Sequence, residues 1–202
     1  MYRYALSRVG ELPRPPVPRS GLVYRVLWSG EEAGPLELEP IWPWSIIDHF
    51  IPRHPKNRPP SMGRQLARLM ARGWMWERPR REGERRLHRT FQESALTIWL
   101  SRHWTAEEVL TAYAERASFG EGLVGMEAAA RRYFGKPAEQ LALHEAALLA
   151  GLPQSPSRYD PLRRPEQARK RRDFVLGRLR ALNWITEAEW EAARGQPLLP
   201  DQ

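Results

Sequence analysis

The sequence predicts a mainly α-helical domain with an irregular N-terminal quarter, and three observations support this class. Prolines are concentrated in residues 10–60, in the stretches LPRPPVPRSG, EPIWPWS and IPRHPKNRPP, which favours extended chain, turns and short helical pieces. From Ser61 onward, apolar residues recur at helical spacing. No stretch shows the strict alternation that is typical of a strand. We therefore expect a single domain over 1–202, made of an irregular part (1–60) and a helical body (61–202).

The helical body is predicted to begin with three amphipathic helices. Residues 61–74 place leucine and methionine on one face and arginines on another, and residues 89–104 again carry apolar side chains at helical spacing. The segment between them, 77–86, reads ERPRREGERR and is a charged loop. Residues 105–117 begin with Thr105 in the arrangement of a capping box, with glutamate three positions later.

Four further helices are predicted in the C-terminal half, each with a recognisable boundary signal. The helices over 126–135 and 141–151 both end at a glycine. A helix over 164–182 has proline in its first turn, and one over 185–195 begins with a second capping box. These signals define the ends of the elements independently of the apolar pattern.

Composition limits the classes of function. With 42% hydrophobic and 28% charged residues the chain is globular rather than disordered, and without cysteine it has neither disulfides nor thiolate chemistry. The formal charge of +8 is carried almost wholly by arginine, since the only lysines are Lys56, Lys136 and Lys170. Arginine suits phosphate and diphosphate groups, so phosphorylated substrates, anionic lipid and nucleic acid are candidate partners. Genome composition is the alternative cause of this bias.

The sequence FGEGLVGMEAAARRYFGKPAEQLALHEAALLAGLPQSPSRYDPLRRPEQARKRRDFVL, residues 119–176, resembles the C-terminal half of the family 51 glycosyltransferases. These peptidoglycan glycosyltransferases occur as monofunctional enzymes and as the first domain of bifunctional penicillin-binding proteins. The resemblance covers Arg85 to Leu176 well and Arg25 to Arg72 poorly. It implies a mainly helical, lysozyme-like fold with a small jaw lobe beside the membrane.

The resemblance also implies a reaction. Members of the family polymerise lipid II outside the cytoplasmic membrane. A carboxylate deprotonates the 4-hydroxyl of the acceptor sugar, and undecaprenyl diphosphate leaves with inversion. Such chemistry needs a base near the acceptor hydroxyl and fixed positive charge on the departing diphosphate.

The third family motif, Arg-Lys-x-x-Glu, is represented here by RTFQE. Arg89 and Glu93 match it, while Thr90 replaces the lysine and removes a charge that binds phosphate. By resemblance, Glu93 is the second catalytic carboxylate, which orients or stabilises, and Arg89 and Arg85 are substrate-binding residues. A surface ion pair at i,i+4 spacing is the alternative interpretation of Arg89 and Glu93.

The second motif, Gly-x-Ser-Thr-Ile-Thr-Gln-Gln, is matched weakly by PPSMGRQ at 59–65. Gln65 retains the last glutamine, and Arg68 stands where the family carries a basic residue. The resemblance assigns both to substrate binding. An ordinary charged helix face is the alternative.

The first motif, Glu-Asp-x-x-Phe-x-x-His-x-Gly, contains the family's catalytic base and has two placements here. In residues 25–38, apolar residues precede the glutamates as they do in the family motif, so Glu31 or Glu32 is the base, with Glu31 preferred. This placement lacks the phenylalanine, histidine and glycine of the motif. The other placement, IDHF at 47–50 with His54, has isoleucine in place of the base and leaves little chain before the second motif.

The last two motifs are matched unequally. Residues 106–115 retain Tyr113 of the fourth motif, Lys-x-x-Ile-Leu-x-x-Tyr-Leu-Asn, but neither its lysine nor its asparagine. Residues 171–176 match the fifth, Arg-Arg-x-x-Val-Leu, completely. Arg171 and Arg172 are therefore predicted to bind substrate at the back of the site, with a packing role as the alternative.

Two functions follow from this pattern. The first is a divergent peptidoglycan glycosyltransferase that acts on lipid II at the extracytoplasmic face of the cytoplasmic membrane. The second is a catalytically impaired relative that binds lipid II or another cell-wall synthesis protein. Nucleic-acid binding has only the charge in its favour, since no recognisable module accompanies it. The sequence shows no cofactor motif and leaves a divalent cation open.

The chain has no bilayer-spanning apolar run and its start lacks the apolar core of a signal peptide, and its tryptophans predict peripheral membrane contact. Four tryptophans lie in the region that forms the jaw in the family, where they favour the bilayer interface. These four are Trp42, Trp44, Trp74 and Trp76. Packing in the core is the alternative interpretation of these tryptophans.

Overall fold

The computed structural model describes residues 2–32, 34–43, 64–77 and 86–200, and over these ranges the chain is mainly α-helical, which confirms the predicted class. The helices are α1 Tyr2–Ser7, α2 Leu22–Glu31, α3 Arg64–Trp76, α4 Arg86–His103, α5 Ala106–Arg116, α6 Met126–Phe134, α7 Leu143–Gly151, α8 Pro165–Ala181 and α9 Glu187–Gly195. A 3₁₀ turn spans Ala138–Gln140. Within the described ranges, β pairing is limited to one bridge between Ser118 and Val124.

Four of the boundary signals act as predicted, whereas Gly151 is the last helical residue of α7 and the cap that follows it is Leu152. Thr105 and Thr186 each form a complete capping box with the glutamate three residues later. Gly135 ends α6 in the left-handed conformation, with φ of 68°, and Pro165 is the first residue of α8. Contacts between residues close in sequence thus stabilise these helix ends.

Within the described ranges 2–32 and 34–43, α2 is the longer of two helices. It begins after Gly21, whose φ of 125° suits glycine, and it contacts α5, α7 and α8. Val26, Leu27 and Trp28 are completely buried. The hydrophobic face therefore makes α2 part of the core despite the prolines on either side, and its last residues lie inside the helical body.

The approach of α2 to α7 depends on Gly30. A Cβ atom at this position would overlap the carbonyl oxygen of Ala150, so only glycine fits. The Gly30 carbonyl in turn accepts hydrogen bonds from Arg171 Nη2 at 2.9 Å and Arg178 Nη1 at 3.3 Å. The C-terminal end of α2 is thus fixed against both α7 and α8.

Helix α3 is joined to the end of α2 by Glu32. The Leu66 amide donates to Glu32 Oε1 at 2.6 Å, so the carboxylate caps the N-terminus of α3. Glu32 is only 7% exposed. Burial raises the pKa of the Glu32 carboxyl above its ordinary value. Hydrogen bonds from the backbone amides of Leu66 and Gln65 partly offset this rise, and the neighbouring charge of Glu31 adds to it.

The first prediction concerns the contact between α2 and α7. Gly30→Ala should lower the free energy of unfolding by about 1–3 kcal/mol, because the added methyl group forces two packed helices apart. Gly177→Ala in α8 is the matched control, since a Cβ there meets no atom within 4 Å. This control should raise stability by up to about 1 kcal/mol through helix propensity. Urea unfolding of both variants measures the difference, and equal effects of the two substitutions would contradict the packing described.

The second prediction concerns Glu32. Because its pKa is raised in the folded protein, the native state retains this proton to a higher pH than the unfolded chain does. The associated stability is complete below the ordinary value of 4.5 and is lost as pH rises through the raised pKa. The parent should therefore lose stability relative to Glu32→Gln as pH rises from below 4.5 to neutral.

Urea unfolding across this pH interval checks the prediction, with Glu191→Gln on the exposed surface of α9 as the control for loss of one carboxylate. A parent that gains stability over Glu32→Gln with rising pH would show that the amide hydrogen bonds outweigh burial.

Candidate functional site

Glu31 is the last residue of α2 and is surrounded by hydrogen-bond donors. It is 7% exposed. Its Oε1 accepts a hydrogen bond from the Tyr113 hydroxyl on α5 at 2.7 Å, and its Oε2 accepts one from Gln65 Nε2 on α3 at 3.3 Å. Burial, followed by the charge of Glu31 and this hydrogen bond, raises the pKa of Tyr113, so the phenol stays protonated and donates.

Glu32 differs from Glu31 in what it contacts. Its carboxylate binds backbone amides at the start of α3, whereas the carboxylate of Glu31 is held by two side chains from different helices. A capping carboxylate has an oxygen committed to the helix end. The two adjacent carboxylates therefore have different partners, the main chain of α3 for Glu32 and side chains of α3 and α5 for Glu31.

Glu93 lies on α4 and contacts two arginines of α3. Its Oε1 is 3.3 Å from Arg68 Nε and 3.4 Å from Arg72 Nε. The glutamate side chain is mostly buried, while both arginine side chains are about half-exposed. Two cations thus share one anion at the surface, which leaves the cluster with excess positive charge. Arg89, from the same motif as Glu93, donates from Nη2 to the Met75 carbonyl near the end of α3.

The polar face of α3, formed by Gln65, Arg68 and Arg72, connects the two carboxylates. These residues follow each other at intervals of three and four, so they lie on one side of the helix. Gln65 contacts Glu31 at one end of this face, and the two arginines contact Glu93 further along. The structure therefore places four of the residues predicted from the sequence along this face of α3: Glu31, Gln65, Arg68 and Glu93.

Arg171 and Arg172 bind main-chain carbonyls rather than side chains of this cluster. Arg171 is 8% exposed and donates to Gly30 and Gly151. Burial lowers its pKa, and the charge of Glu31 opposes this. Arg172 is 0% exposed and donates to the carbonyls of Arg194 and Gln196. This placement favours the packing role that the sequence left as an alternative, above all for Arg172.

Parts of the sequence interpretation lie outside the described residues. They include Arg85, the segment before α3 that carries most of the second motif, the alternative placement of the first motif around 47–54, and Trp44. Of the other tryptophans, Trp42 is half-exposed with the Arg102 guanidinium 4.3 Å from its ring centroid. Trp74 packs against the core beside Arg116.

The described part of the chain contains neither a bilayer-spanning helix nor a cluster of metal ligands. None of the helices in these ranges is both long and apolar enough to cross a bilayer. In the same ranges, no three histidine, aspartate or glutamate side chains come together as a metal site.

Sequence reasoning missed two residues of this site. No role was predicted for Tyr113, although it is the one polar residue of the fourth motif that this chain retains. Arg72 was noted only as part of a charged face, although its spacing from Arg68 puts it one turn further along that face. Neither contact could be found without knowing which helices meet.

The chain is similar over more than half of its length to penicillin-binding proteins. It is 41% identical over 115 residues to penicillin-binding protein 1A of Aquifex aeolicus, a match that covers 57% of this chain and 16% of that protein. It is 38% identical over 115 residues to penicillin-binding protein 1A of Pseudomonas aeruginosa, covering 57% of this chain and 14% of that protein. The chain thus corresponds to a small share of the length of these relatives.

Among solved structures, the crystal structure of penicillin-binding protein 1A from Haemophilus influenzae is 26% identical over 73% of this chain and 17% of that chain, with a TM-score of 0.41. This TM-score is low, and the family assignment rests on sequence. The sequence model of the Transglycosylase family matches residues 61–180, which include α3 to α7 and nearly all of α8 but not α2. Because this match covers more than half of the 202 residues, the chain belongs to the Transglycosylase family.

Proposed function

We propose that this chain is a peptidoglycan glycosyltransferase that polymerises lipid II into glycan strands, with inversion at the sugar and undecaprenyl diphosphate as leaving group. The observation that carries the proposal is the polar face of α3, which links a buried carboxylate at one end to a cationic cluster further along. A base and fixed positive charge along one helix are what transfer from a diphosphate donor requires. Family membership supports the same reaction class.

Glu31 is the proposed base. It takes the proton of the acceptor 4-hydroxyl, whose oxygen forms a bond to the anomeric carbon of the donor. The bond from that carbon to the diphosphate oxygen breaks, and its electron pair leaves with the diphosphate. A general base must come within about 3 Å of the hydroxyl oxygen. The donors on both oxygens of Glu31 keep the carboxylate in one orientation.

Arg68 and Arg72 are the proposed diphosphate ligands, with Glu93 as the residue that orients them. Glu93 contacts both through their Nε atoms, and the half-exposed side chains leave surface for a second anion. The family lysine is replaced here by Thr90, and Arg72 supplies a cation on the same helix face as Arg68. Arginine binds phosphate oxygens in a bidentate manner, which makes it an effective substitute.

The site of action that goes with this function is the extracytoplasmic face of the cytoplasmic membrane. Trp42 is the described tryptophan best placed for contact with the bilayer surface, because it is half-exposed and lies beside a cation.

A catalytically impaired relative that still binds lipid II is the second candidate. It is favoured by Thr90 and by the absence of phenylalanine and histidine at the family spacing after Glu31. In that case the cationic cluster retains its ligand although transfer has been lost.

The third prediction separates these candidates by gel analysis of labelled lipid II in detergent. The parent should form polymer, and Glu31→Gln and Glu93→Gln should each reduce its rate by at least about 100-fold, since each removes a group needed in the transition state. Glu191→Gln, an exposed glutamate on α9, is the matched control and should polymerise normally. Binding of lipid II by the parent without any polymer would favour the impaired relative.

The fourth prediction tests the diphosphate ligands. Arg72→Gln should weaken binding of labelled lipid II about tenfold, and the loss should shrink as salt is raised, because partly exposed charges are screened. The matched control is Arg169→Gln, which removes the same charge from the exposed surface of α8. Equal weakening by the two substitutions in fluorescence-anisotropy titrations would mean that only net charge matters.

A further inference from the structure

We infer that Tyr113 is the positioning residue for the base: its hydroxyl fixes Oε1 of Glu31 and leaves Oε2 as the oxygen that accepts the proton. This inference rests on the proposed function, and it concerns a residue for which the sequence predicts no role. It is carried by the geometry of the Glu31 carboxylate and by the burial of the tyrosine.

The hydrogen bond from Tyr113 connects two helices that are distant in sequence. Tyr113 lies in the last two turns of α5 and is buried, and its hydroxyl donates to Oε1 over 2.7 Å. That distance is typical of a strong O–H to carboxylate hydrogen bond. A buried ring with few alternative positions therefore determines where the carboxylate of Glu31 points.

The two oxygens of Glu31 are not equivalent. Oε1 receives the short bond from Tyr113, while the bond from Gln65 to Oε2 is 3.3 Å long and therefore weak. A strong donor withdraws electron density from the oxygen that it binds, so Oε2 is the better proton acceptor. Oε2 is also the oxygen on the side of Gln65, at the end of the polar face of α3 that continues to Arg68 and Arg72.

The charged groups around Glu31 come from several elements. Helix α8 contributes Arg171 and Arg178, which bind the carbonyl of Gly30 and act on Glu31 through charge. Glu32 is the adjacent like charge. Helix α3 contributes the neutral amide of Gln65, and α7 presents buried alanines at its contact with α2. Removing the Tyr113 hydroxyl thus takes away one hydrogen-bond donor of Glu31 and leaves these charges unchanged.

Tyr113→Phe tests this role, because it removes one hydroxyl and retains the ring. We expect kcat for lipid II polymerisation to fall about 10- to 100-fold with KM little changed, since a misoriented base slows the transfer step rather than binding. The acid limb of the kcat profile should move to higher pH, because the carboxylate of the base loses a hydrogen-bond donor.

Tyr133→Phe is the matched control. Tyr133 is also buried, and its hydroxyl donates to the Phe119 carbonyl at 3.4 Å, away from Glu31. It should leave kcat and the position of the acid limb as in the parent. An active parent whose acid limb is unmoved by Tyr113→Phe, or moved equally by Tyr133→Phe, would overturn the inference.

A second measurement does not need activity. In a double-mutant cycle of Tyr113→Phe and Glu31→Ala, followed by urea unfolding, a coupling of at least about threefold in the unfolding constant supports fixation of the carboxylate by the hydroxyl. Additive effects would overturn it. A parent that folds and shows this coupling but forms no polymer would overturn the proposed function and the choice of Oε2, while the positioning contact itself stands.

Discussion

The close contact between α2 and α7 at Gly30 is the constraint on which the rest of the site depends. A side chain at Gly30 would overlap the main chain of α7, and its carbonyl is held by two arginines of α8. Gly151 at the end of α7 is constrained by a side chain, since a Cβ there would lie 2.7 Å from Arg171 Cγ. These contacts fix the end of α2 within the helical body, and the next residues are the two candidate carboxylates.

Adjacent carboxylates have separate tasks because they face different partners. Glu32 binds the main chain at the start of α3 and so determines where that helix begins. Glu31 binds side chains of α3 and α5. The cap made by Glu32 thereby sets the position of Gln65 beside Glu31. The helical spacing of α3 in turn places two arginines beside Glu93. A local hydrogen bond thus positions a site that extends over two helical turns.

The sequence predicted what depends on short-range physics. Capping boxes, the glycine end of α6 and apolar periodicity predicted the helices of the body, and the resemblance to the glycosyltransferases agrees with the family match and with the mainly α-helical class. The roles of Tyr113 and Arg172 could not be derived in this way. Tyr113 is 82 positions from the carboxylate that it contacts, and Arg172 is occupied by carbonyls near the C-terminus. Spacing along one helix does not identify such partners.

The most direct test of the central claim is a crystal structure of this chain with a lipid II analogue that cannot be transferred, together with an acceptor saccharide. The account predicts the acceptor 4-hydroxyl within about 3 Å of Glu31 Oε2 and the diphosphate against Arg68 and Arg72, with the Tyr113 hydroxyl still on Oε1. A diphosphate bound elsewhere, or an acceptor hydroxyl beside Glu32 or another carboxylate, would contradict it.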